Sequence, residues 1–216
     1  MNERMFQDKL TSCKSLLDIQ VISMTNILEK RLVLSEINQM IKSNLDLQQN
    51  NLFWEWFFTN YVDGQVMEIM RILDQDKDSK NVFKLIDSLL QGYQLDNNFF
   101  NRIREAQIAT SSLPREMVES LVPLFDEASL QADKAFLLQK SEELKKYRDS
   151  VIAHSDPQKR AKINLTLTEV NALIEVLHEK ILHYILCLTG SGYPDTGLLP
   201  HIAYDWKSIF RVPWLK

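Results

Sequence analysis

The sequence predicts an all-α protein, a bundle of five or six helices. Apolar residues recur at three- and four-residue spacing through most of the 216 residues, the period of an amphipathic helix. With only 5 Gly and 6 Pro, the chain lacks the turn residues of a small-stranded β fold. Thr166 and Glu169 stand three apart before an apolar run, the pattern of a helix N-terminus closed by reciprocal side-chain and backbone hydrogen bonds.

The first helix is expected over Phe6–Ile41, where Leu10, Leu16, Leu17, Met24, Ile27 and Leu28 keep the period and no Pro or Gly intervenes. The polar run "NLDLQQNN" (44–51) breaks it. A second helix runs over about Leu52–Leu73, with Trp54, Phe57, Phe58, Tyr61, Val66, Ile69, Met70 and Leu73 facing a core. Gly64 within it costs about 1 kcal/mol against Ala, which points to a close helix contact there. "DQDKDSKN" (74–81) is a loop, and "VFKLIDSLLQG" a short helix closed by Gly92. Another helix begins near Pro114, with a break around Pro123 and a second part over about 128–154. Pro157 drives Asp156 out of the helical region, so that part stops near His154 or Ser155. "INLTL" (163–167) alternates and is compatible with a short extended piece. The last long helix covers about 168–188, ended by Gly190 and Gly192. These elements form one domain over 1–190. The remainder, 191–216, is a tail whose Ile202, Trp206, Ile209 and Phe210 suggest a short helix packed back on the bundle.

Composition narrows the functional classes. A net charge of −4 and a pI near 5.6 disfavour a general nucleic-acid binder, which carries a basic surface, but leave room for a local basic groove. The 2 cysteines, Cys13 and Cys187, have no metal or redox spacing and suit a reducing compartment. The charged start "MNERMFQDKL" lacks a signal-peptide core, and "NLFWEWFFTNYV" is interrupted by Glu55 and reaches Asp63 before a bilayer is spanned. A cytoplasmic protein without membrane segment is expected. Asp74, Asp76 and Asp78 alternate like the opening of a calcium loop, but Ser79 stands where Gly is needed and Leu85 where the bidentate Glu belongs. "GSGYPDTG" follows a helix and lacks a phosphate-loop Lys, and His178 and His183 lie five apart. No metal and no cofactor is expected.

One stretch carries chemistry: "KKYRDSVIAHSDPQKR" (145–160). At 3.6 residues per turn Tyr147, Val151 and His154 share a stripe, and Arg148 lies about 120° from His154. The two side chains meet only if the last turn departs from an ideal helix, or if two chains face each other. The structural alternative is a histidine at a helix end with Arg148 paired to Glu142 or Glu143.

The segment "YRDSVIAHSD" resembles the signature of the HEPN superfamily: Arg, a polar residue, a short spacer and His near a helix end. It is most similar to the abortive-infection AbiU-type branch. "VMEIMRILDQDKDSKNVFKLIDSLL" resembles that branch's helix end, polar loop and short leucine-rich helix, with Arg71, Leu73 and Asp74 as the matching residues. Together the likeness spans about residues 50–190. It implies a HEPN-like bundle and metal-independent RNA cleavage at a homodimer interface. Arg148, His154 and Asp149 would be the catalytic set, Asp149 as the polar residue after the Arg. Tyr147, Ser155, Asp156, Arg71 and Asp74 would support them, and Lys145, Lys146, Lys159 and Arg160 would bind RNA. An antitoxin or other regulatory partner is also implied. Relatives with a nucleotidyltransferase partner often carry a Tyr shortly after the His, where this chain has Ser155-Asp156-Pro157. The alternative function is a non-catalytic HEPN-like module that binds a nucleotide, RNA or protein partner.

Overall fold

The computed structural model describes residues 1–48, 52–76, 78–152 and 165–190. The expected tail helix at 191–216 lies outside them. Among the described residues there are seven α-helices and no strand, so the all-α class holds with slightly more helices than expected.

Helix α1 (Glu3–Ser43) is 41 residues long, about 60 Å at 1.5 Å per residue. Its first turn is capped by Asn2, whose side chain accepts the Met5 N–H at 2.9 Å. Phe6, Leu10, Cys13, Leu17, Met24 and Ile27 recur along its buried face. A 3-10 turn (Leu45–Gln48) leads towards α2 (Leu52–Ile72). Helix α3 (Val82–Leu95) starts at Asn81, 2% exposed, whose side chain accepts the Lys84 N–H at 2.9 Å. Then come α4 (Phe99–Thr110), α5 (Arg115–Leu121) and α6 (Glu127–Tyr147). Pro114 and Pro123 fall outside the helical segments, so the expected break is present. Helix α6 runs directly into a π-turn, Arg148–Ile152. The last helix, α7 (Leu167–Thr189), has the expected reciprocal cap at Thr166 and Glu169 and ends at Gly190 with φ 66°, the left-handed position that favours glycine. Leu165 and Thr166, the described residues of the alternating piece before α7, form no strand.

Helix α1 is the central post. It packs against α2, α3 and α7, while α6 closes over α2 and α3, and α4 lies on α3 and α7. One continuous apolar core results, with Ile69, Leu73, Leu85, Leu89, Leu137, Ile174 and Tyr184 fully enclosed. Polar side chains tie helices together around it. Ser141 of α6 donates to the Leu73 carbonyl at 3.0 Å, and Asp133 accepts both Lys180 and the Tyr184 hydroxyl of α7.

Several local expectations are corrected. Gly92 does not close α3 but sits inside it, because the Phe99 ring occupies the space beside its Cα: an added Cβ would lie 2.3 Å from Phe99 Cε1. Gly64 has no close neighbour, nothing being within 4 Å of its Cβ position. Helix α4 was not anticipated. Phe99, Phe100, Ile103 and Gln107 are its buried residues, but Asn98 makes no side-chain cap and no terminal signal announces it. In α2 full burial begins only at Val62. Trp54, Phe57, Phe58 and Tyr61 are half-buried, and Phe53 and Trp56 are 52% and 62% exposed.

Candidate active site

The signature segment begins where α6 changes its winding. An α-helix closes each turn on the fourth residue back and a π-turn on the fifth, so the same number of residues sweeps a smaller angle. Ideal-helix angles therefore do not hold over Arg148–Ile152. Single π-turns inside helices are frequent at functional sites.

Two inward anchors fix this turn. Tyr147, 7% exposed, points its hydroxyl across to α2 and donates to Asp63 Oδ1 at 2.8 Å. Val151, one turn on and 4% exposed, belongs to the core with Leu144 and Leu137. With these two turned inward, Arg148 and Asp149 lie at the boundary with solvent, their side chains 31% and 47% exposed. Arg148 donates from Nε to Asp149 Oδ1 at 2.9 Å, and its terminal nitrogen Nη2 lies 2.8 Å from the same oxygen. One edge of the guanidinium fork is thus held by the neighbouring carboxylate. Glu143 instead takes Lys140 at 2.7 Å, and that hydrogen bond holds its carboxyl below the usual range. Lys145 and Lys146 are exposed on the last turn of α6, beside Arg148.

His154, Ser155, Asp156, Lys159 and Arg160 lie outside the described residues. The upstream pair is described and sits apart. Arg71, 69% exposed, donates to Glu68 Oε2 at 2.8 Å. Asp74 accepts the Asp76 N–H at 3.1 Å and Asp76 the Asp78 N–H at 3.1 Å, so these acids shape a turn. Arg71 is eight residues beyond Asp63, about 12 Å further along α2, so Arg71 and Asp74 are not gathered with Arg148. Asp63 is the residue that sequence reasoning missed. Its signal was present, an acid within the apolar run of α2, but only the partner helix explains it.

Among the described residues no three His, Cys, Asp or Glu side chains are grouped to hold a metal ion. His183 lies 3.5 Å from the Cys187 sulfur and edge-on to Phe125, and burial lowers its basicity. A cavity of about 260 Å³ opens between α6 and α7, lined by Phe136, Lys140, Leu144, Glu169 and Leu173 among others. No described helix is long and apolar enough to cross a membrane.

The HEPN AbiU2 family model, described as AbiU2, matches residues 14–208. That span includes both segments singled out in the sequence. No curated protein and no solved structure matches the chain.

Proposed function

The chain belongs to the HEPN AbiU2 family, an abortive-infection family, and from that premise we propose that it is an endoribonuclease of an antiphage or toxin-type system. It needs no metal, and its active site is completed across a homodimer. The observation that carries this reading is the presentation of Arg148: a partly exposed guanidinium on a π-turn pinned by Tyr147 and Val151, with Lys145 and Lys146 beside it.

The chemistry suits these residue types. The ribose 2′-OH attacks the adjacent phosphorus, forming the O2′–P bond and breaking P–O5′, and leaves a 2′,3′-cyclic phosphate and a free 5′-OH. One base takes the 2′ proton and one acid returns a proton to O5′. A histidine titrates in the range where both tasks are served, and the two copies of His154 in a dimer supply the pair. The non-bridging oxygens gather negative charge in the transition state, and the planar fork of Arg148 is shaped to receive it. Asp149 shapes the site by holding that fork.

A second reading is a non-catalytic module for RNA, a nucleotide or a protein, and the same Arg148–Asp149 contact favours it, because the guanidinium is already partly satisfied. The test is cleavage of total RNA, with EDTA present, by the purified wild type and by Arg148→Ala and His154→Ala. Cleavage that survives chelation and disappears in both variants establishes the nuclease. Equal cleavage by all three proteins would assign the activity to a contaminant, and none by any would leave the binding module.

A further inference from the structure

Helices α6 and α7 enclose a cavity that the RNA chemistry leaves unused. Phe136, Lys140 and Leu144 follow at intervals of four on α6, and Glu169, Ala172 and Val176 at three and four on α7, the spacing of one helix face each. Between these two faces lies a space of about 260 Å³. Asp133 accepts both Lys180 and Tyr184, one turn outside Phe136 and Val176, and this tie between the helices bounds one end. From Phe136 to Leu144 the cavity runs about 12 Å along α6.

We propose that the cavity is a binding site for a free aromatic α-amino acid, with the ring between the two helices and the ammonium and carboxylate at the mouth. The site uses none of the residues of the nuclease reading and stands apart from it. The walls select the body of the ligand. Leu144 and Leu173 are 3% and 8% exposed and form the floor. An apolar cavity of about 150 Å³ holds a benzene molecule, so one of about 260 Å³ takes a ring with a short polar end. Phe136 offers that ring an aromatic partner, whose edge and offset contacts add to simple burial.

The mouth selects the charges. Lys140 donates to Glu143 at 2.7 Å, the two side chains being 32% and 49% exposed. Its charge also reaches across to α7: the bonds from Thr166, and behind them Lys140, hold the Glu169 carboxyl below its ordinary range. Both Thr166 bonds, at 2.8 and 2.7 Å, fall on Glu169 Oε2, so among the described residues Oε1 remains to accept. An ammonium has three donors, and Glu143 takes one of those of Lys140. Lys140 and Lys180 flank the Phe136 ring at 6.0 and 5.6 Å from its centroid, which turns a ligand's positive group towards the Glu169 end. A carboxylate alone meets the repulsion of Glu143 and Glu169, and an amine alone that of Lys140. A zwitterion sets its carboxylate on Lys140 and its ammonium on Glu169.

The experiment is ligand-observed NMR titration of the full chain with L-phenylalanine, phenylpropionate and phenethylamine. L-phenylalanine should bind saturably at millimolar concentration, and each analogue, lacking one charge, about tenfold more weakly. Ala172→Phe fills the space and should abolish binding with unchanged helicity, since Ala172 is exposed. Lys140→Met should weaken L-phenylalanine about tenfold and leave phenethylamine unaffected, a split that general damage to the fold does not produce. Absence of saturable L-phenylalanine binding, binding that survives Ala172→Phe, or analogues that bind as well as the amino acid would each overturn the assignment.

Discussion

The hydroxyl of Tyr147, the last residue of α6, donates to Asp63 of α2 at 2.8 Å. That bond ties the π-turn to α2, so the orientation of Arg148 depends on a residue 85 positions upstream. It also decides which side of the turn meets solvent, since Tyr147 and Val151 are fixed inward and their neighbours are left at the surface.

Removing the hydroxyl isolates this tie. Tyr147→Phe keeps the ring in the core and deletes one hydrogen bond to a carboxylate, a loss of roughly 1–2 kcal/mol. The expected result in urea unfolding is a lower midpoint with unchanged slope. Amide exchange should accelerate most over residues 147–152 if the bond pins the turn. Uniform acceleration across the protein, or none, would show that Val151 alone holds it.

The two helical glycines should respond with opposite sign. Gly64→Ala meets nothing within 4 Å and removes backbone freedom from an α2 interior position, a gain of about 0.5–1 kcal/mol. Gly92→Ala drives a methyl to 2.3 Å from the Phe99 ring, and overpacking of this kind costs about 1–3 kcal/mol. Thermal denaturation should rank Gly64→Ala above wild type and Gly92→Ala below it. A Gly92→Ala protein as stable as wild type would mean that α4 shifts freely, contrary to its packing on α3 and α7.

How much of this was legible depends on where the signal resides. Periodic apolar faces are local, so α1, α2, α6 and α7 were readable, as was the Thr166–Glu169 cap, whose partners are three residues apart. Helix α4 was not, because its start has no capping side chain and its amphipathic face is only three turns long. Gly92 misled for a physical reason: a glycine that admits a neighbouring ring reads like one that ends a helix. At the site, Arg148 and Asp149 were legible as a motif. The π-turn that presents them and the Asp63 contact that anchors it depend on α2 packing on α6, which no local pattern encodes. The exposed start of α2 was read as core for the same reason, since periodicity finds an apolar face but not what covers it.

Stability should fall on the alkaline side. Burial, reinforced by the bond to Asp133, pushes the Tyr184 hydroxyl far above its ordinary value, and burial pushes the Cys187 thiol up to about 12. Burial likewise raises Cys13 and Tyr61. In the unfolded chain these groups ionise near about 8.5 for Cys and about 10 for Tyr. Above those values the folded state retains protons that the unfolded state has released, so stability declines as pH rises towards the folded values. The urea midpoint should be flat near neutrality and drop between about pH 8.5 and about pH 10.5, less steeply in Tyr184→Phe. A flat midpoint through that window would contradict the burial of these groups.

The last prediction concerns the carboxylate that holds Arg148. Asp149 accepts from Nε and lies within ion-pair reach of Nη2 through one oxygen, so a phosphate must compete with it for that edge of the fork. The pair is partly solvated, and such ion pairs contribute about 0.2–1 kcal/mol. Freeing Arg148 should therefore tighten RNA binding by a factor of roughly two to five. Asp149→Asn tests this without changing shape, placed in a His154→Ala background so that binding is read without cleavage. Titration of a short labelled RNA should give a lower Kd than His154→Ala alone, and Arg148→Ala should remove the gain. An Asp149→Asn protein that binds more weakly would mean that the carboxylate sets the guanidinium in its working orientation rather than competing for it. In that case the same substitution in the otherwise wild-type chain should lower the cleavage rate more than it changes affinity.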